Sequence, residues 1–246
     1  MKKTMVAFMA ILIKDVRNYY LKPPNISWGL IFPLSWALMQ FSLSPSPPSV
    51  AEVLPGVMAL SVLFGTTSML AVALTFERRS RSFERLLTAP IGLTTMVWAK
   101  LSGAIIFGMV NAAWPVLLAA SLGVDLSAVD WPLAFLGVLF IAVASSLLGL
   151  MVAVTAKEVF EAQTLSNLYR FPMIFLCGLF IPVQSLPWIL QPLSYVLPIT
   201  YGVDILRQGL LMDGMFETWA SVTIGIGFIV ILYALSMRGI KRRWLL

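Results

Sequence analysis

Long stretches without a single charged residue dominate the chain. Six of them lack Asp, Glu, Lys and Arg altogether, and they run 23–51, 53–76, 101–124, 131–156, 171–203 and 218–237. Each reaches the roughly 20 residues that a helix needs to cross about 30 Å of hydrocarbon. A charge at the centre of such a helix costs about 2.5–3.5 kcal/mol, which explains its exclusion. The pattern predicts an all-α membrane protein, one transmembrane domain over 1–246, with six spans near 26–43, 55–75, 98–121, 131–155, 164–183 and 217–238.

Basic residues between these stretches predict the orientation of the chain. Sixteen of the 17 Lys and Arg residues lie before the first charge-free stretch, between the second and third, between the fourth and fifth, or after the sixth, and Arg207 is the exception. Lys157 and Arg170 are the two between the fourth and fifth stretches. Short loops rich in Lys and Arg stay in the cytoplasm, so we expect both termini there, in the inner membrane of a prokaryote. The net charge of +6 then reflects a difference between the two leaflets and predicts no nucleic-acid partner.

Missing residue types exclude several kinds of site. With no His and a single Cys, Cys177, the chain has no Ser-His-Asp triad, no His-ligated metal and no internal disulfide. No Gly-Lys dipeptide occurs, so the phosphate-binding loop G-x-x-x-x-G-K-[ST] is absent. We therefore expect no catalytic residue, metal or cofactor in this chain. Ion-coupled carriers usually keep an ionisable group inside the membrane, and the six stretches contain none, which disfavours a secondary transporter.

The first residues predict an amphipathic helix over 4–22 that lies in the plane of the inner leaflet. Charged residues follow the apolar run where a signal peptide would have its cleavage site. One face gathers Met5, Phe8, Met9, Leu12, Ile13, Val16, Tyr19 and Tyr20, the other gathers Lys3, Lys14, Arg17 and Asn18, and Ile11 and Leu21 break the pattern. Pro23 and Pro24 end the helix. A retained signal anchor with no further role is the alternative.

The segment between the second and third spans predicts another short amphipathic helix, over 77–90. Its apolar residues recur at helical spacing with charges between them. They are Phe83, Leu86 and Leu87, with Glu84 and Arg85, and the helix stops before Pro90. An apolar side on a charged loop suits two roles, either docking on another protein or folding back on the bilayer surface. The residues alone favour neither.

Prolines divide the long stretch 171–203 into short pieces. Four of them, Pro182, Pro187, Pro192 and Pro198, lie too close together for one continuous helix. We expect the fifth span to end near Pro182 and a re-entrant segment of broken helices, 184–211, to dip back into the outer leaflet. Protein or a cavity must cover such a segment, because lipid cannot satisfy its polar backbone groups. Asp204 and Arg207 lie three residues apart on one helical turn and are predicted to pair.

Two parts of the chain resemble type-2 ABC transporter permeases. In that family a Glu-rich stretch leads into Gly-Thr-x-Glu-x-Leu-x-x-x-Pro, and residues 76–90 are similar to it. The matching residues are Glu77, Ser82, Glu84, Leu86 and Pro90, while Arg81 stands where Gly is usual. Residues 175–207 resemble the family's Ser-Gly-x-x-x-Pro turn, its Leu-Pro, and its Pro-x-Thr-Tyr before Asp-x-x-Arg. There Cys177 replaces Ser.

The resemblance implies the membrane subunit of an exporter that moves an amphipathic drug, lipid or lipid-linked glycan outward. Its partners would be a separate ABC ATPase, which binds ATP and magnesium, and a second copy of the permease or a homologue. The resemblance makes 77–90 a coupling helix that docks on the ATPase through Glu77, Phe83, Glu84, Arg85, Leu86, Leu87 and Pro90. It assigns Pro182, Pro187, Pro198, Asp204 and Arg207 to the re-entrant element. The residues expected to contact substrate near the dimer axis are Phe32, Trp36, Gln40 and Met173.

Two other classes of protein stay open. A membrane-embedded enzyme would need ionisable groups gathered at one depth, and the acids expected outside are dispersed in sequence, although folding could gather some of them. A non-transporting membrane assembly protein is the other. Within the exporter class the cargo also stays open, because drug, lipid and polysaccharide exporters share this chain length and the broken fifth-span region.

Overall fold

The computed structural model describes residues 2–43, 49–88 and 91–244, and over these ranges the chain forms helices and connecting segments without any β-strand. The helices are α1 Lys2–Asp15, which continues into a π-helical turn Val16–Tyr20, α2 Pro23–Leu43, α3 Val50–Arg79, α4 Ser82–Leu87, α5 Leu93–Ser121 and α6 Trp131–Thr155. They continue with α7 Val159–Leu176, a 3₁₀ turn Val183–Ser185, α8 Gln191–Tyr195, α9 Pro198–Leu211 and α10 Thr218–Trp244. Pro90, the predicted end of the coupling helix, lies outside the described residues.

Four of these helices are long and apolar enough to cross a membrane: α3, α5, α6 and α10. They correspond to the second, third, fourth and sixth predicted spans. This confirms the prediction of an all-α membrane protein for the described part of the chain. The helices at the first and fifth predicted spans, α2 and α7, have 21 and 18 residues.

Helix α3 lies at the centre of the bundle, in contact with α2, α5, α6, α7 and α9. Its residues are buried without interruption from Val53 to Ser68. A helix that is apolar on all sides must be covered on all sides, and α3 fits that rule. The hydroxyls of Ser61 and Thr75 donate to carbonyls of α3 itself, and that of Thr66 also forms a 2.6 Å hydrogen bond with the hydroxyl of Ser145 on α6. The centre of the fold is therefore held by one enclosed helix.

The broken segment after α7 packs closely against the bundle through α9. Glycines allow α9 and α6 to approach each other: a Cβ on Gly137 would lie 2.5 Å from the backbone nitrogen of Leu206. One on Gly209 would lie equally close to the nitrogen of Ala134. The prolines lie at breaks between the helices, as expected. Pro182 precedes the 3₁₀ turn, Pro187 lies in the next turn and Pro198 begins α9.

The predicted pair between Asp204 and Arg207 is wrong. Arg207 instead forms an ion pair with Asp213, 2.6 Å away, beyond the end of α9. The carboxylate of Asp204 is buried and accepts hydrogen bonds from the Met215 amide and the Ser221 hydroxyl. Asp204 and Arg207 each bind residues that follow α9. The spacing of residues within one helix cannot predict such contacts. Asp204 thus fastens the loop between α9 and α10.

One residue departs from the pattern predicted for the first helix. Met5, Met9 and Ile13 of its apolar face are exposed on the protein surface, which a face that contacts lipid requires. Ile11, counted outside that face, is 4% exposed and belongs to the core. The reason is that α1 packs against α5 through the face that carries Ile11 and Asp15, which are four residues apart.

Candidate functional site

Four charged side chains from three helices form an ion cluster, in which three are buried and the fourth, Lys14, is partly exposed. Nζ of Lys100, on α5, lies 2.5 Å from the Glu77 carboxylate and 3.0 Å from that of Asp15. Nζ of Lys14 lies 2.5 Å from Glu77 and 2.9 Å from Asp15. Two acids and two bases leave no net charge. We call Lys14, Asp15, Glu77 and Lys100 the ion cluster, and it ties α1 to α3 and α5 near one end of the bundle.

The ion cluster shifts the pKa of Lys14 and contributes to that of its neighbour Tyr19. Burial disfavours the charge on Lys14, but its hydrogen bonds to Glu77 and Asp15 outweigh that and raise the pKa of Lys14 above its usual 10.5. Burial raises the pKa of Tyr19 to about 12, and the charge of Glu77 adds to the rise. At neutral pH Lys14 is therefore firmly charged and Tyr19 neutral.

The expectation that Glu77 docks on a partner protein is wrong for this structure. Its side chain is 1% exposed and is used within the ion cluster. A signal in the sequence could have shown this: Glu77 ends one charge-free stretch and Lys100 precedes the next, so adjacent spans place opposite charges at similar depth.

Within the segment 77–90, where the sequence predicts one helix, residues 77–79 end α3 and a separate short helix, α4, covers Ser82–Leu87 with an unusual start. Arg81 caps it with φ of 56° and ψ of 13°, the left-handed conformation that glycine adopts most easily. The departure from the family's glycine therefore keeps the turn and adds backbone strain. Beyond it, Glu84 and Arg85 are exposed and Leu86 is half-buried. The structure does not describe the side chain of Leu87.

Phe83 is not available for docking, contrary to the prediction. It is 2% exposed and meets the ring of Trp244 edge to face, with centroids 4.6 Å apart. The guanidinium of Arg78 lies over the same indole, 5.7 Å from its centroid. The reason is that the C-terminal end of α10 returns beside α4, a long-range contact that helical spacing cannot predict. Phe83 thus joins α4 to α10.

The turn between α6 and α7 lies beside this end of the bundle and exposes an apolar side chain. Arg78 donates a hydrogen bond to the Ala156 carbonyl, and Arg79 lies 3.5 Å from Glu158. Phe160, at the start of α7, is 85% exposed. We call the exposed residues Arg79, Glu84, Arg85, Glu158 and Phe160 the charged end. Sequence reasoning missed Phe160, although a lone phenylalanine between two acids was a visible signal.

A cavity of about 740 Å³ opens between α2, α3 and α7, and we call it the α7 cavity. Its lining is mainly apolar, from Phe32, Phe64, Met69, Val72, Ala73 and Phe171, with polar groups from Tyr19, Ser68, Gln163, Asn167 and Arg170. A cavity of this size with a few polar groups is typical of small-ligand sites.

The predicted substrate contacts separate in the structure. Phe32 lines the α7 cavity, and its ring is tilted by 30° against that of Phe64 with centroids 4.4 Å apart. Trp36 packs against Phe180 outside that lining, and Gln40 lines a smaller pocket of about 220 Å³. Met173 is 4% exposed in the core. Only Phe32 of the four is brought to the α7 cavity.

Arg170, expected in a cytoplasmic loop, is buried on α7 against α3 with 2% of its surface exposed. Its guanidinium carbon lies 4.0 Å from the ring centroid of Phe64, and one of its nitrogens donates to the hydroxyl of Ser68. Helical spacing could have found it, because it continues the stripe of Ala162 and Ser166, both fully buried.

The long apolar helices define a multi-pass membrane protein. Comparisons with known proteins agree with this class. The family described as "ABC-2 type transporter" matches residues 6–211. Nodulation protein J of Sinorhizobium fredii is 28% identical over 215 residues, 85% of this chain and 79% of that protein. The inner membrane transport permease YadH of Escherichia coli K12 is 27% identical over 248 aligned residues, 96% and 95% of the two chains. The probable multidrug ABC transporter permease YbhR of the same strain is 24% identical over 175 residues, 69% of this chain and 46% of that protein.

The chain belongs to the ABC-2 type transporter family. It is an ABC transporter permease, a multi-pass protein of the cytoplasmic membrane whose relatives are transport subunits. Membership of this family implies an ABC ATPase as partner in general.

Proposed function

We propose that the chain is the permease subunit of an ATP-driven exporter, which moves an amphipathic drug, lipid or lipid-linked glycan outward. Two copies, or this chain and a homologue, would assemble with a separate ATPase that binds ATP and magnesium. The observation that carries the proposal is the family match over residues 6–211 in a chain without a Gly-Lys dipeptide. A transporter of this class then needs its nucleotide site on another subunit.

In the proposed topology six helices cross the membrane and both termini lie in the cytoplasm. Four long apolar helices and the 21 residues of α2 support five crossings, and α7 supplies the sixth. The Lys and Arg residues support the orientation, since nearly all lie on the side that carries the charged end. The broken helices α8 and α9 would form the re-entrant element at the opposite side.

The charged end is the proposed docking surface for the ATPase. It combines exposed charges with Phe160, and an exposed aromatic side chain among charges is typical of an interaction site. Force applied there would reach the spans along two routes. One runs from α4 through Phe83 to α10, and the other runs along α3 and the ion cluster to α1 and α5.

Co-purification tests this assignment. The permease is expressed with a candidate ABC ATPase, and Glu84→Arg or Phe160→Ala is expected to reduce the ATPase recovered at least tenfold without loss of permease. The matched controls are Glu217→Arg and Phe135→Ala, which are exposed residues away from the charged end. Equal recovery with all four variants would remove the charged end as the docking surface. Permease that always purifies alone would contradict the transporter assignment itself.

A further inference from the structure

Arg170 carries a charge that no acid in the described structure balances. None of the ion pairs among residues 2–43, 49–88 and 91–244 includes it. Its neighbours are the hydroxyl of Ser68, the amide oxygen of Asn167 at 3.4 Å and the ring of Phe64, all of them neutral. Nε is buried and has no hydrogen-bond partner. A guanidinium has five N–H groups to donate, so most of its capacity is unused.

Burial makes this arrangement costly for the chain alone. A buried cation without a counter-ion opposes folding, and proteins normally place such a charge beside an acid. The chain has achieved that in the ion cluster, where Lys100 is equally buried and touches two carboxylates. The contrast marks Arg170 as a charge whose partner comes from outside the chain.

The surroundings of Arg170 define what that partner is. Arg170 lines the α7 cavity together with Asn167 and Gln163 on the same helix, and no acidic side chain belongs to the lining. Gln163 and Arg170 are seven residues apart, about 10 Å along the helix. The remaining wall is aromatic and aliphatic, from Phe32, Phe64 and Val72 among others. Such a wall suits a hydrocarbon chain or ring system, and the guanidinium suits phosphate or carboxylate.

We infer that the α7 cavity binds an amphiphile with an anionic headgroup, and that Arg170 supplies the counter-charge to that phosphate or carboxylate. That this amphiphile is the cargo of the transporter rests on the proposed function. That the amphiphile binds in the α7 cavity does not depend on it. It narrows the cargo from any amphipathic molecule to an anionic one.

The purified permease in nanodiscs of phosphatidylcholine tests the inference with three probes. Dodecyl phosphate is expected to raise the midpoint of thermal unfolding several degrees more than dodecyl maltoside, which has the same chain and no charge. Inorganic phosphate is expected to give no shift, because it lacks the apolar part that the aromatic wall holds. Equal shifts from dodecyl phosphate and dodecyl maltoside would overturn the inference. A shift from inorganic phosphate of the same size would assign the site to the free anion.

The decisive variant is Asn167→Asp, which is nearly the same shape and gives Arg170 a carboxylate within the chain. The variant is expected to have a higher unfolding midpoint without ligand. Its affinity for dodecyl phosphate is expected to fall at least tenfold, while its affinity for dodecyl maltoside stays unchanged. Gln184→Glu, an exposed position outside the α7 cavity, adds the same charge as a control. An undiminished preference for dodecyl phosphate in Asn167→Asp would overturn the role of Arg170.

A second variant separates charge from shape. Arg170→Lys keeps the charge but loses the forked geometry, so a partial preference for dodecyl phosphate is expected, between those of wild type and Asn167→Asp. Failure to co-purify with an ATPase would contradict the proposed function and leave these binding results standing. Loss of the anion preference would contradict this inference and leave export of a neutral cargo standing.

Discussion

Replacing Glu77 with Gln tests whether the ion cluster holds three helices together. Glu77 is 1% exposed, and its two oxygens each lie 2.5 Å from a lysine nitrogen, Lys14 on one side and Lys100 on the other. At an effective dielectric constant of about 20, two unit charges 2.5 Å apart attract each other by about 7 kcal/mol. The attraction between Lys14 and Glu77 is weaker than this, because water screens the Lys14 side chain, which is 36% exposed. The desolvation of Glu77 and its repulsion from Asp15 offset part of the total attraction.

The net cost of Glu77→Gln is expected to be about 3–5 kcal/mol, as for other buried ion pairs that lose one partner. Most of it comes from Lys100, whose charge stays buried with one carboxylate fewer. Lys100→Met in the same chain restores neutrality and leaves the contact of Lys14 with Asp15. The double variant is therefore expected to lose less than the sum of the two single variants, by about 2 kcal/mol or more.

The measurement is equilibrium unfolding of the permease by dodecyl sulfate in mixed micelles, followed by tryptophan fluorescence and circular dichroism. Glu158→Gln is the matched control, since it breaks the exposed pair with Arg79 and is expected to cost about 1 kcal/mol or less. Additive losses in the double variant, within about 0.5 kcal/mol, would refute the reasoning. A cost for Glu77→Gln no larger than that of the control would refute it as well.

Three further predictions concern stability under the same assay. Arg81→Gly is expected to stabilise the permease by about 0.5–1 kcal/mol by relieving a left-handed backbone, whereas Arg81→Ala keeps the strain and is expected to change little. Phe83→Ala is expected to cost about 3–5 kcal/mol and Phe76→Ala, at an exposed position, under 1; equal costs would show that the Phe83 contact is dispensable. Gly137→Ala places a Cβ 2.5 Å from the α9 backbone and is expected to cost at least about 1–3 kcal/mol. Gly227→Ala, with open space around it, is expected to be neutral or stabilising, and a reversed order would contradict the packing of α6 on α9.

The helices were predictable from the sequence because their signals are local. Charge-free stretches foretold α3, α5, α6 and α10, and the prolines after α7 foretold the breaks before α9. What spacing could not give is which face of a helix meets which neighbour. Ile11 was placed outside the apolar face of α1, yet α1 packs on α5 through it, because the partner surface and not the pattern decides what is buried.

The exposed residues of the candidate site were predicted correctly, because their exposure follows from the local pattern. Glu84 and Arg85 are exposed as expected, since a short charged helix solvates its charges. Phe83 and Glu77 found partners more than 20 residues away, in Trp244 and Lys100, and no helical repeat carries that information. Arg170 was assigned to a loop because of its charge. Its spacing from Ala162 and Ser166, which places it on the buried face of α7, was not considered.

The hairpin formed by α3, α4 and α5 has a mechanical consequence. The ion cluster and the long α3–α5 contact clamp its two arms together near α4, so the arms cannot slide independently. If the ATPase docks as proposed, such a hairpin would act as a lever whose short cross-piece is α4. The 29 residues of α5 extend about 43 Å, so a tilt of about 5° would displace the far end by about 4 Å. A small displacement of the short helix would then be amplified across the thickness of the bundle without any helix having to bend.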